Sequence, residues 1–315
     1  MIVFHRLRAL PDTRWNFWCF GLDITFFTVA LNISSVYTIM PLFVHQLIAQ
    51  NWPVALITTV RMFGLYSPAL LSAGKAERLR RVKPAILVMT IFERIPYLIL
   101  ALAVILLAHG NRVALLAIFF LMLLTMSTAS GLCFPPWLDL ISRTIPDRLR
   151  GRFLGGWSGA GNLLGLGGAA LAAGFLIWLA WPWNFAACFL LSFVCVVISF
   201  VLLAMGREPE RTERHHVVSV TAPLLAQSRR WLGDMWSVIH DDTAFRRFLI
   251  ANALAGMALL GSGLLAVAAL QQAHLSKQII GLETTVVLFA VMIGNIGWGI
   301  IRDHLGHRAI LIWSS

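Results

Sequence analysis

The chain has 315 residues, of which 59% are hydrophobic and 12% charged, and a formal net charge of +11. Its mean hydropathy is +0.80, and a water-soluble fold of this length cannot hide so much apolar surface, because most of a folded surface must meet water. In a soluble protein the excess of cations would raise the question of nucleic acid; their placement along this chain gives another answer.

Arg6, Arg8 and Arg14 precede the first apolar run, which is too long for a signal-peptide core and has no small-residue cleavage site after it, so it is a retained span. A crossing helix needs about 20 predominantly apolar residues. Eight stretches qualify: Phe17–Pro41, Val54–Ala73, Ala85–Ala108, Val113–Leu140, Phe153–Ala180, Asn184–Met205, Phe248–Gln271 and Thr284–Ile301. With the N-terminus inside, the inner segments carry twenty-one Lys and Arg residues and the outer loops only Arg112 and Lys277. That asymmetry is the positive-inside rule, and it accounts for the basic charge without nucleic acid. Trp52-Pro53 and Trp181-Pro182-Trp183 fall at outer ends of spans, where indole rings favour the headgroup layer. Cys19, Cys133, Cys188 and Cys195 all lie in apolar runs without C-x-x-C spacing and read as small core residues.

The fourth span holds Pro135-Pro136, which removes two backbone donors and is expected to bend its cytoplasmic end. The fifth is rich in glycine (Gly155, Gly159, Gly161, Gly165, Gly167, Gly168), a composition that lets a neighbouring helix approach closely. Residues 206–245 are the one long polar stretch. Its first part, Arg207-Glu-Pro-Glu-Arg-Thr-Glu-Arg214, reads as a solvated linker. In its second part Leu224, Leu225, Ser228, Trp231, Leu232, Met235, Trp236 and Ile239 keep helical spacing, as in an amphipathic helix lying on the inner membrane surface. After the last long apolar run comes Gly299-Ile-Ile-Arg-Asp303-His-Leu-Gly306-His-Arg308, in the pattern G-x-x-x-D-x-x-G-x-R. A degenerate copy follows the second span, with Ala73, Glu77, Arg78, Arg80 and Arg81, which points to an internal repeat.

This repeated pattern resembles the loop signature of the major facilitator superfamily of secondary transporters, and the order of spans, linker and spans resembles that fold throughout the chain. The resemblance implies an all-α, polytopic membrane protein with a six-helix N-terminal bundle over residues 1–206, a cytoplasmic linker with its surface helix over 207–245, and an incomplete C-terminal bundle over 246–315. The fold has twelve spans, whereas Ala309-Ile-Leu-Ile-Trp-Ser-Ser315 looks like the start of a ninth, so either the sequence is a fragment or the gene encodes a truncated protein. The glycine-rich fifth span is similar to that of the drug/proton antiporters, except that Leu166 stands where their Gly-Pro step has proline. In the family the motif's acid and arginines form a cytoplasmic latch with an acid at the end of the fourth span. By that resemblance the latch residues are Glu77, Arg78, Arg81, Asp139, Gly299, Asp303, Gly306 and Arg308, with Arg78 or Arg81 pairing Asp139. Pro146-Asp-Arg-Leu-Arg-Gly151-Arg152 resembles the family's loop between the fourth and fifth spans.

Ionisable groups inside spans are costly and point to function. Asp23, Arg61, Glu93 and Arg94 are the clear ones, with Asn32, Asn162, Asn252 and Asn295 as further polar groups at membrane depth. Neighbours on a helix point about 100° apart, so Glu93 and Arg94 are not expected to face one site; Glu93 is expected to face inward, toward Arg61 or a substrate. A buried carboxylate there can take up a proton, and a static ion pair holding the helices in register explains the same residues. Asp23, Asn32, Arg61, Glu93 and Arg94 are thus the substrate and proton-coupling candidates. An intramembrane serine hydrolase is the enzymatic alternative, since Gly156-Trp-Ser158-Gly159 is a G-x-S-G; against it, His45, His109 and His274 fall near the outer ends, far from Ser158. The remaining alternative is a membrane protein that inserts without transporting. No catalytic residue, metal site or cofactor is expected. The expected function is secondary active transport of a small molecule, proton-coupled where the buried carboxylates titrate, in the plasma or inner membrane with a cytoplasmic N-terminus. The expected partners are that substrate, protons and the lipid bilayer, with no nucleic acid, and a full-length chain would be a monomer.

Overall fold

The structure, a computed structural model, describes residues 12–48, 50, 52–76 (backbone alone at 70, 71 and 73–76) and 81–209, with isolated helical positions at 240, 243, 246, 247, 250, 293 and 294. All regular structure among the described residues is helical. The helices are α1 (Asp12–Ile33), α2 (Ile39–Leu47), α3 (Trp52–Ala76), α4 (Lys83–Leu107), α5 (Arg112–Thr144), α6 (Asp147–Trp178) and α7 (Trp183–Met205). They all fall in one of the two compact units into which the chain divides. Five of the described helices, α1, α4, α5, α6 and α7, are long and apolar enough to cross a membrane. The 25 residues of α3, about 38 Å of helix, cover the predicted second span. The predicted surface helix and the spans at Phe248–Gln271 and Thr284–Ile301 lie outside the described residues.

The predicted first span is two helices. α1 stops at Ile33, and the chain turns through Ser34–Thr38 before α2. Serine side chains offer the backbone alternatives to a helix: the Ser35 hydroxyl accepts from the amide of Tyr37 at 3.2 Å, and the Ser34 hydroxyl bonds that of Ser192 on α7 at 2.5 Å. Pro41 then sits in the first turn of α2, where a missing amide proton leaves no helical bond unmade. At the other end of the bundle α5 runs unbroken through Pro135 and Pro136 to Thr144, and α6 begins at Asp147. The predicted loop Pro146–Arg152 is therefore mainly the first two turns of α6, with Asp147 at the positive end of its dipole and paired to Arg150.

α3 packs on α5, α5 on α4, α4 on α7, α7 on α1 and α1 on α6. Two apolar clusters fill the bundle. One is centred on Phe43, whose ring meets those of Phe119 at 5.4 Å, Phe185 at 5.3 Å and Phe189 at 5.5 Å. The other joins Phe20, Ile86, Cys133, Leu140, Phe153 and Leu203 toward the opposite end. The four cysteines are free and buried. The glycine face of α6 lies on α1: a Cβ on Gly161 would come 2.7 Å from Thr28, and one on Gly168 would come 2.8 Å from Ile33.

The first two residues of the linker are docked on the bundle. Met205 accepts from the Trp15 indole at 2.8 Å, Arg207 exchanges two 2.7 Å hydrogen bonds with the Asn16 amide, and its guanidinium reaches Asp12 at 2.6 Å. The Glu208 side chain is only 3% exposed; its carboxylate accepts from the first amides of α4, Val82 at 2.7 Å and Lys83 at 3.0 Å, and takes Arg143 at 3.4 Å. The ends of α7 and α4 carry orphan carbonyls and amides that need partners: Glu208 accepts the amides at the start of α4, while the Trp15 indole and the Lys83 ammonium donate to the carbonyls of Met205 and Ala204 at the end of α7. Glu208→Ala is expected to cost about 0.5–2 kcal/mol, the range for a lost N-terminal cap, read as a lower unfolding temperature in detergent. An unchanged transition would show that water replaces the carboxylate at no cost.

Candidate functional site

Between the two apolar clusters each of four helices contributes polar side chains at one level: Asp23 from α1, Thr90, Glu93 and Arg94 from α4, Ser130 from α5 and Ser199 from α7. Asp23, Glu93 and Arg94 are 5%, 6% and 5% exposed. Arg94 has five N–H donors, and each faces an acceptor. Nε donates to the Val196 carbonyl at 2.9 Å, Nη1 to the Thr90 carbonyl at 3.1 Å and to Glu93 at 3.5 Å, and Nη2 to Ser199 Oγ at 3.1 Å. The fifth faces Asp23 at 3.8 Å, and Ser199 closes the ring by donating to Asp23 Oδ1 at 2.6 Å. The ring of Phe200 lies 5.4 Å from the guanidinium carbon. Glu93 is held differently: the Ser130 hydroxyl donates to its Oε1, and Arg94 touches its other oxygen at 3.5 Å.

Glu93 and Arg94 do leave α4 in different directions, one toward α5 and the other toward α1 and α7, as adjacent helical positions should. The reach of the arginine side chain brings its Nη1 back to Glu93, so both belong to one cluster, where the sequence reading had separated them. Arg61 stands apart on α3, half-buried, and its charge is felt at Glu93 and Tyr97 without a contact. Asn32 is not brought to the cluster. It lies two and a half turns farther along α1, donates to Asn162 Oδ1 at 3.4 Å and packs against Gly165. Asn252 and Asn295 lie outside the described residues. Thr90, Ser130 and Ser199 were missed; the available signal was the spacing of Ser192, Cys195 and Ser199, which puts small side chains on one face of an otherwise apolar helix.

Of the latch residues, Glu77, Arg78, Gly299, Asp303, Gly306 and Arg308 lie outside the described residues. Asp139 is paired with Arg143 one turn along the same helix, and Arg143 in turn bridges to Glu208; Arg81 is exposed at the start of α4. Ser158 lies about 17 Å along α6 from Asp147, while His45 and His109 are exposed at the far ends of α2 and α4, so no serine–histidine pair forms among them. Among the described residues no group of His, Cys, Asp or Glu is placed to hold a metal ion.

Set against known proteins, the chain matches the family model described as Major Facilitator Superfamily over residues 22–315. No curated protein matches it, and no solved structure does.

Proposed function

We propose, since the chain belongs to the Major Facilitator Superfamily, that it is a secondary transporter that moves a small molecule by alternating access and couples that movement to protons. The coarser part follows from the family: a multi-pass membrane protein of a transporter superfamily. The coupling reading is carried by one observation, two carboxylates buried at mid-membrane depth against a single guanidinium in contact with both. An uncompensated carboxylate there is costly, and taking up a proton removes the cost. The two acids differ. Asp23 is held by the Ser199 hydroxyl and the Trp137 indole and ion-paired to Arg94, which suits a fixed interlock between α1, α4, α5 and α7. Glu93 takes one hydroxyl and one long contact, and it is the acid we assign to carry the proton.

The same reading places the N-terminus in the cytoplasm of a cell bounded by the plasma or inner membrane, from the twenty-one to two division of Lys and Arg across the spans. Residues 1–206 then form the N-terminal bundle, 207–245 the linker and 246–315 the beginning of the second bundle. The test is a reconstituted vesicle with a trapped pH dye and a library of small amphipathic compounds on one side. A compound that crosses with the wild-type chain should drive proton movement, and Glu93→Gln should uncouple the two, leaving exchange down the compound's own gradient. Coupled movement that survives Glu93→Gln would remove Glu93 from the role.

A further inference from the structure

Arg61 is the tenth residue of α3, about 14 Å along the helix from Trp52, which is close to half of a hydrocarbon layer about 30 Å thick. Its direction follows from its neighbours. Ile57, one turn earlier, is fully buried, and Gly64 and Leu65, one turn later, lie against Ser127 and Gly131 of α5. The exposed stripe of α3, Trp52, Leu56, Phe63 and Tyr66, is on the opposite side. Arg61 therefore points into the bundle and not into lipid. It keeps part of its surface open, and among the described residues it makes no hydrogen bond or ion pair. Arg94, at the same depth, makes four hydrogen bonds and two ion pairs.

A guanidinium at the centre of a membrane without a partner costs about 2.5–3.5 kcal/mol or more. It presents a planar fork of donors that fits a carboxylate in two parallel hydrogen bonds. We propose that Arg61 is the anion-recognition residue of this protein, and that its ligand is a small monocarboxylate with an apolar body. One cation suits a single negative charge better than two, and Ile57 and Leu65, one turn to either side of it on α3, are apolar, with the Tyr97 ring within reach of its charge. The groups facing Glu93 are Arg94 and Tyr97 on its own helix, Ser130 and Cys133 on α5, Arg61 on α3 and, through Arg94, Asp23 on α1. A carboxylate held at Arg61 adds a negative charge beside Glu93, so the anion and the proton on Glu93 bind together, each strengthening the other. As a statement about a transported substrate this rests on the function proposed above; as a statement about binding it does not.

The experiment uses the full chain in nanodiscs and three probes of one size: benzoate, benzyl alcohol and benzylamine. Benzoate is expected to bind the wild type at least about tenfold more tightly than either of the others, a difference of about 1.4 kcal/mol. Arg61→Lys should keep part of that preference, and Arg61→Gln should abolish it. Equal binding of the three probes by the wild type, binding of none, or a preference that survives in Arg61→Gln each overturns the inference, and the wild-type comparison needs no variant to fold. Vesicle flux separates this from the transport reading. Benzoate preference lost with Arg61→Gln, with no compound crossing, would leave the anion site standing and end the transporter. Flux of neutral or cationic compounds unaffected by Arg61→Gln would do the reverse.

Discussion

Arg94→Met should destabilise the folded chain by about 3–5 kcal/mol, the range measured when one partner of a buried ion pair is removed. The loss does not come from one contact. The guanidinium serves the Val196 and Thr90 carbonyls, Ser199, Asp23 and Glu93 at once, and methionine fills a similar volume while leaving two buried carboxylates without their cation in an apolar layer. The partners should respond unequally. Asp23→Asn keeps an acceptor for Ser199 and should cost less, and the triple change Asp23→Asn, Glu93→Gln, Arg94→Met should recover most of the stability, because no charge is then left unpaired. Thermal unfolding in a single detergent, with all variants side by side, reads these differences. A triple variant no more stable than Arg94→Met would mean that the loss comes from packing against Phe200 and not from charge. Arg94→Met as stable as the wild type would remove the interlock altogether.

Hydropathy made the spans legible because a helix of about 20 apolar residues has no other stable home. The features it did not show are those that tertiary partners decide. Ser34 and Ser35 sit in a run apolar enough to cross, and what ends α1 there includes a hydroxyl on α7 far along the chain. The charged run beginning at Arg207 has the composition of a solvated linker. Its first two residues are held on the bundle, Glu208 by the orphan amides at the start of α4 and Arg207 by Asn16 and Asp12 of α1, and a linear reading does not place those partners side by side. The candidate acids and bases were visible one at a time as charges within spans. Their division into a closed set around Arg94 and an open Arg61 was not, because it depends on which serine of α5 or α7 lies at the same level. The glycines of α6 announce close packing by their number, whereas the glycine of the described helices that comes nearest to another helix's backbone stands alone in α5.

That glycine is Gly131. It stands on α5 where the backbone of α3 crosses: an added Cβ would fall on the Leu65 carbonyl oxygen and 2.8 Å from that of Gly64, and a Cβ on Gly64 would lie 2.6 Å from the Ser127 Cβ. A flexible side chain can swing aside, but a helix backbone cannot, so even alanine must push α3 and α5 apart. Overpacking of this kind costs typically about 1–3 kcal/mol, and the backbone position of the clash puts Gly131→Ala at the upper end, although alanine is intrinsically better in a helix by about 1 kcal/mol. Gly167, which has nothing within 4 Å of its added Cβ, is the control: Gly167→Ala should be neutral or slightly stabilising. Opposite signs for the same chemical change isolate packing from propensity. The consequence reaches the site, because Gly131 is next to Ser130, which holds Glu93, and the backbone it abuts is one turn beyond Arg61. Moving α3 outward lengthens the gap between Arg61 and Glu93, so Gly131→Ala should weaken benzoate binding while Gly167→Ala leaves it unchanged. A Gly131→Ala chain that unfolds at the wild-type temperature would show that the two helices are not held at this crossing.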